Sequence, residues 1–248
     1  MIDRVSVLLS ILSLIGLSFV CALTLGIVGA FLGLNLDMSN AHSATRLLLS
    51  MFVYSIALFL LPLAFHPVGK RALGKSNPLK LSRELWEIIT SRSSLLLLVA
   101  IATAMIVASS SLSFLSEWII GMLPSGWGIA TEDSVSTQIK GLLQSGFANN
   151  VIEFVVICLT PAVVEELFFR GTMQRLLVAS SRHQPRLAIL VTSVIFSLAH
   201  LSAVGFLSRL LIGVVLGYSY YYTGRIAIPI LLHLINNFVA WLMLIYFY

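Results

Sequence analysis

Six residues in the C-terminal part of this chain carry groups suited to hydrolysis. They sit in stretches that are otherwise apolar. Glu165 and Glu166 are adjacent, Arg170 follows Glu166 by four, His200 closes the run 196–200, and His233 and Asn237 are four apart. A carboxylate beside an imidazole can take a proton from water, and an imidazole and an amide can hold a developing oxyanion. Neighbours on an α-helix point ~100° apart, so the two glutamates cannot face the same way. Glu166 and Arg170 share a face and can pair, which leaves Glu165 without a partner nearby in sequence. Pro161, one turn earlier, frees a backbone carbonyl. His233 and Asn237 lie on one stripe, with Asn236 rotated away, and Phe196 lies one turn before His200 on its face. Singly, each group has an ordinary use: a histidine or asparagine bonding a neighbouring helix, or a structural ion pair. Three consecutive helical regions that each offer such groups point to a catalytic or ion-handling site.

The elements that must position these groups follow from composition. Of 248 residues, 58% are hydrophobic and 10% charged, and mean hydropathy is +1.00. This excludes a disordered chain, a disulfide-stapled module and an ordinary soluble enzyme. The apolar runs are long and continuous, unlike the ~10-residue alternating segments of a membrane barrel. The fold expected is all-α: a polytopic membrane helix bundle of about seven spans, at 5–34, 47–65, 95–123, 147–169, 187–206, 207–222 and 226–248. An eighth, short segment could be hidden in the long first or third span. Cys21 and Cys158 both lie inside apolar runs and read as packing residues, with no disulfide expected. The chain divides softly near 144–150, giving a region 1–145 of plain helices with a basic loop and a region 146–248 that carries the polar groups.

Charge placement sets an orientation. Net charge is +5. Arg4, Lys70, Arg71, Lys75, Lys80, Arg83, Arg92, Arg170, Arg175, Arg182, Arg186 and Arg225 fall on one side of seven alternating spans. Arg46 and Lys140, with Asp37, Glu132 and Asp133, fall on the other. The positive-inside rule then puts the N-terminus in the cytoplasm and the C-terminus outside. The aromatic residues agree: Tyr218, Tyr220, Tyr221 and Tyr222 cluster at the inner end of span six, and Trp127, Trp241, Tyr246 and Tyr248 lie near outer ends. The basic charge is thus a topological signal, and no nucleic-acid partner is expected. Arg83, Glu84, Trp86 and Glu87, mixed with Leu81, Leu85, Ile88 and Ile89, suggest a helix on the cytoplasmic surface or a solvated connecting helix. Glu117, Glu153 and Arg209 fall towards outer span ends. They read as residues reaching the interface, or as Arg209 pairing with one of the acids, with an external ligand or ion site as the alternative.

The polar residues also carry a family likeness. Glu165-Glu166-Leu167-Phe168-Phe169-Arg170 resembles the EExxxR motif of the CPBP family, also called Abi or type II CAAX prenyl endopeptidases. Phe196 to His200 resembles its FxxxH motif, and His233 to Asn237 its HxxxN motif. The stretch 213–218, then Thr223-Gly224 and 229–233, resembles the family's approach to the last motif. The likeness spans about 146–248 and shows no departure at the motif positions. It implies an intramembrane endopeptidase whose site opens towards the cytoplasm, with Glu165 as general base and His200 assisting. His233 and Asn237 would hold the oxyanion, while Glu166, Arg170 and Phe196 support them.

The residues leave the metal question with two answers. Glu165, His200 and His233 could form a two-histidine, one-carboxylate zinc site. The HExxH spacing of one-helix zinc sites is absent, and the same residues suffice for metal-free activation of water, the reading adopted here; no cofactor is otherwise expected. The expected partners are membrane lipid and a peptide or protein substrate, lipidated or not. In a bacterium the expected location is the plasma (inner) membrane. The competing functions are a non-catalytic relative, in bacteriocin immunity or as a regulatory scaffold, and an ion-coupled transporter. The transporter would require polar symmetry between halves, and the first three spans have no counterpart to the motifs.

Overall fold

The computed structural model describes residues 4–31, 44–75, 78–122, 147–180 and 184–246. Among the described residues every regular element is a helix. They are α1 (Arg4–Phe31), α2 (Ala44–Ser55, continued through Ile56–Leu60 and Leu61–Phe65), α3 (Pro67–Lys75), α4 (Pro78–Thr90) and α5 (Arg92–Gly121). The run 147–180 forms α6, followed by α7 (Pro185–Leu198), α8 (Phe206–Thr223) and α9 (Ala227–Tyr246). Asp37, Trp127, Glu132, Asp133, Lys140, Arg182 and Tyr248, which carry part of the orientation reading, lie outside the described residues.

The chain is a helical membrane bundle. Val5–Ala30, Leu48–Phe65, Arg92–Gly121 and Ala227–Tyr246 are each long and apolar enough to cross a bilayer. Sequence punctuation sets the helix boundaries. Pro67, Pro78 and Pro185 open α3, α4 and α7, where the missing N–H has no helical partner to lose. Ser91 caps α5 by accepting the Ser94 N–H at 3.4 Å. Gly224 ends α8 in the left-handed conformation, φ 65°.

Two prolines also act inside helices. Pro62 and Pro161 cannot donate to the preceding turn, and each is preceded by a π-helical turn, Ile56–Leu60 in α2 and Phe154–Leu159 in α6. In α6 the Thr160 hydroxyl also donates, at 2.8 Å, to the Val155 carbonyl that accepts the Thr160 N–H. A second π turn, Phe169–Gln174, follows in α6, and all six of its residues are buried. The Thr172 hydroxyl donates to the Leu167 carbonyl at 3.1 Å there.

The fifth expected span needs correction. The run 187–206 is not one helix: α7 ends at Leu198, and the chain turns through 199–205 before α8 begins. Fourteen residues rise only about 21 Å, short of the ~30 Å hydrocarbon core. A helix of that length starting at one interface ends inside the bilayer. The turn is held by the Ser197 hydroxyl donating to the Phe206 carbonyl at 2.7 Å. Leu201 sits in it at φ 51°, 94% exposed. The fourth expected span, drawn to 169, continues as helix through Ser180.

One core joins the two regions of the chain. Val7, Leu14, Leu63, Ile88 and Leu98 from the N-terminal helices pack in the same buried cluster as Phe168, Phe169, Phe196, Leu216 and Leu232. The helix expected near 83–89, whether on the membrane surface or as a solvated connection, is α4. Glu84 and Ile88 face inwards, while Leu79, Trp86 and Ile89 are exposed. Glu84 accepts the Ala227 N–H at 3.3 Å, and Glu87 pairs with Arg225 at 3.0 Å. The helix thereby fastens the start of α9, the helix that carries His233.

Candidate active site

The two adjacent glutamates have different surroundings. Glu166 is fully buried, and its Oε1 accepts from Arg170 Nη1 at 2.6 Å and from His233 Nδ1 at 2.9 Å. Arg170, also fully buried, sends Nη2 to the Gly213 carbonyl of α8 at 3.2 Å. Its guanidinium lies over the Phe196 ring, 4.6 Å from the centroid. The expected Glu166–Arg170 pair is present, and it links four helices: α6, α7, α8 and α9. Glu166 Oε2 and Arg170 Nε have no hydrogen-bond partner among the described residues. An incompletely satisfied buried pair contributes more to positioning than to net stability.

Glu165 points elsewhere. It is 7% exposed, and its Oε2 has no hydrogen-bond partner among the described residues. Oε2 lies 4.0 Å from His200 Nε2. The His200 side chain, 30% exposed, sits in the turn beyond the end of α7. His200 is therefore the accessible member of the pair, and Glu165 Oε2 lies buried beneath it.

Hydrogen bonding fixes what each histidine can offer. His200 Nδ1 is 2.8 Å from the Phe196 carbonyl, which can only accept, so Nδ1 carries the proton. The neutral ring then presents a lone pair at Nε2, towards Glu165. His233 Nδ1 donates to the Glu166 carboxylate in the same way, which leaves Nε2 for a second contact. Phe196 is the hinge between them, its ring centroid 5.0 Å from that of His200 and 5.9 Å from that of His233.

Asn237 lies one turn beyond His233 on α9. Its Oδ1 accepts from Asn236 Nδ2 at 3.4 Å, so the Asn237 amide keeps its N–H groups for another acceptor. The structure thus brings Glu166, Arg170, Phe196 and His233 into direct contact and sets Glu165 opposite His200.

Several supporting residues escaped the sequence reading. Gln174, one π turn after Arg170, is buried and donates to the Gly217 carbonyl at 2.9 Å. Arg170 and Gln174 therefore grip carbonyls four residues apart on α8. The glycines make the approach possible. A Cβ at Gly213 would lie 2.9 Å from Ser193 Cβ, and one at Gly217 would lie 2.7 Å from Ile189 Cγ2. The signal was the matching spacing of four in both pairs. Arg209 lies close enough for its charge to be felt at both Glu165 and His200. Sequence had assigned it to the interface or to an acid at an outer span end. Glu153 is corrected as well: it is 1% exposed and accepts the Trp241 indole N–H at 3.1 Å. It is a helix-to-helix tie between α6 and α9, not a residue reaching out of the membrane.

The zinc arrangement does not fit this geometry. Both histidines have the anchored Nδ1 that metal ligands usually show. Among the described residues, however, no group of three His, Cys, Asp or Glu side chains converges closely enough to hold a metal ion. Glu165 Oε2 lies 4.0 Å from His200 Nε2, while His233 Nδ1 is bonded to Glu166.

Residues 147–239 match the family model described as Type II CAAX prenyl endopeptidase Rce1-like. No curated protein and no solved structure matches the chain. The matched segment holds all six polar residues of the site. The C-terminal part of the chain is thus similar to that family, which is a protease family.

Proposed function

We propose that this Rce1-like chain is an intramembrane endopeptidase in which Glu165 and His200 activate water. The carrying observation is the facing of two acceptors: Glu165 Oε2 and the His200 Nε2 lone pair stand 4.0 Å apart. Two acceptors at that separation are complementary to one water molecule that donates both its protons. Such a water presents its oxygen lone pairs outwards, towards the exposed edge of His200. As it attacks a peptide carbonyl carbon, one proton passes to Glu165 and negative charge builds on the carbonyl oxygen. The Asn237 amide is the donor suited to that oxyanion. His233 can add to it only as an imidazolium, a charge that the Glu166 carboxylate behind it would support. The tetrahedral intermediate collapses when the C–N bond breaks and the proton held by Glu165 or His200 moves to the leaving amine.

The membrane setting completes the reading. The basic segments put the N-terminus in the cytoplasm, and the substrate is a membrane-associated or CAAX-like peptide or protein. The test is a comparison of membrane-protein termini in cells that carry the wild-type chain and cells that carry Glu165→Gln. New termini that vanish with the variant support the reading. Identical termini, with both proteins present at equal levels, overturn it.

A further inference from the structure

Lys75, Lys80, Arg175, Tyr220, Gly224 and Ile226 line a cavity of about 300 Å³. It is separate from the site above: Arg175 follows Glu165 by ten residues on α6, a rise of ~15 Å. Three cations meet there, from α3, α4 and α6. The acid beside them is Glu84, 3.7 Å from Lys80 Nζ and already accepting the Ala227 N–H. Arg175 and Tyr220 share the cavity wall, and the guanidinium carries several N–H donors that can meet a ligand. Lys75 and Lys80 are exposed, and their ammonium groups can close over an anion from above.

The surroundings indicate depth. Trp86 is 69% exposed, Tyr222 77% and Leu79 79%. Exposed aromatic and apolar side chains mixed with lysine and arginine are the composition of the headgroup level of a bilayer. A concentration of positive charge, with planar and tetrahedral donors together, matches a group with several charged oxygens better than a single carboxylate. We propose that this cavity binds a phosphate group at headgroup level, held by Lys75, Lys80 and Arg175. The ligand would join α3 and α4 to α6, the helix of Glu165 and Glu166, and to α8, whose carbonyls receive Arg170 and Gln174. It would therefore brace the frame of the site without touching the reacting atoms.

The test reads binding and not cleavage. The full chain, purified in detergent, is melted with inorganic phosphate, with phosphatidylglycerol in mixed micelles, or with phosphatidylcholine at equal amount. Phosphatidylglycerol is expected to raise the melting temperature above its value in phosphatidylcholine. Lys75→Gln/Lys80→Gln, which changes only exposed side chains, should need about tenfold more phosphatidylglycerol for the same rise. Arg71→Gln/Arg83→Gln removes two exposed charges outside the cavity and should respond like wild type. A response to phosphatidylglycerol alone assigns the group to a lipid, and a response to inorganic phosphate as well assigns the site to free phosphate too; both support the proposal. It is overturned if neither probe raises the melting temperature, or if both double variants lose the response equally.

Discussion

Glu165 and Glu166 are neighbours in sequence, yet one belongs to an open pair and the other to a closed knot. Glu166 is bonded to Arg170 and His233 and has no exposed surface. Glu165 faces a half-exposed histidine across 4.0 Å and lacks a hydrogen bond among the described residues. The ~100° step between adjacent helical residues makes this division. One carboxylate faces inwards to hold four helices together, and the other lies beside the exposed edge of His200. Under the proposed function, a double acid at this point of the chain is two different devices, one for the frame and one for the reaction.

Substitutions that separate the two devices follow, from the largest effect down. Glu165→Gln should lower the cleavage rate by ~10²–10⁴-fold, the usual contribution of a general base. Its melting temperature should stay near that of wild type, because no hydrogen bond is lost. Glu166→Gln should reverse the pattern. It leaves the Arg170 charge buried without its counter-ion and should destabilise the chain by ~3–5 kcal/mol, read by thermal unfolding in detergent. Asn237→Ala should cost ~10²–10³-fold in kcat if its amide holds the oxyanion, again with little change in melting. Gly217→Ala touches only the frame. Its Cβ would press on Ile189, costing ~1–3 kcal/mol by overpacking. The smallest expected effect is that of a zinc chelator, which should leave the cleavage rate unchanged. A rate lost to the chelator and restored by added zinc would break the comparison, because Glu165 would then be a ligand and not a base.

Sequence revealed more of the site than of its frame. The motif residues stood out because ionisable groups are rare and costly in apolar helices, and Glu166–Arg170 followed from helical spacing alone. The helical membrane class followed from composition. The bond from His233 to Glu166 was not legible, because it joins residues 67 apart and depends on how α9 packs on α6. The break after α7 was missed because residues 199–206 remain fairly apolar. What ends the helix there is a hydroxyl-to-carbonyl bond and a left-handed Leu201, neither of which leaves a hydropathy signal. Glu153 was misread for a related reason: its partner, Trp241, lies 88 residues away. The two proline-linked π turns are the opposite case, since Pro62 and Pro161 announce them locally.

The most direct test of the division of labour is a paired measurement. Glu165→Gln and Glu166→Gln are purified in the same detergent, and each is assayed for single-turnover cleavage well below its own melting temperature and then melted. The account predicts that Glu165→Gln melts like wild type and cleaves at least ~10²-fold more slowly. Glu166→Gln should melt clearly lower and, while folded, keep more of the rate than Glu165→Gln does. Full-rate cleavage by Glu165→Gln, or an equal loss of rate and of stability in both variants, would contradict it.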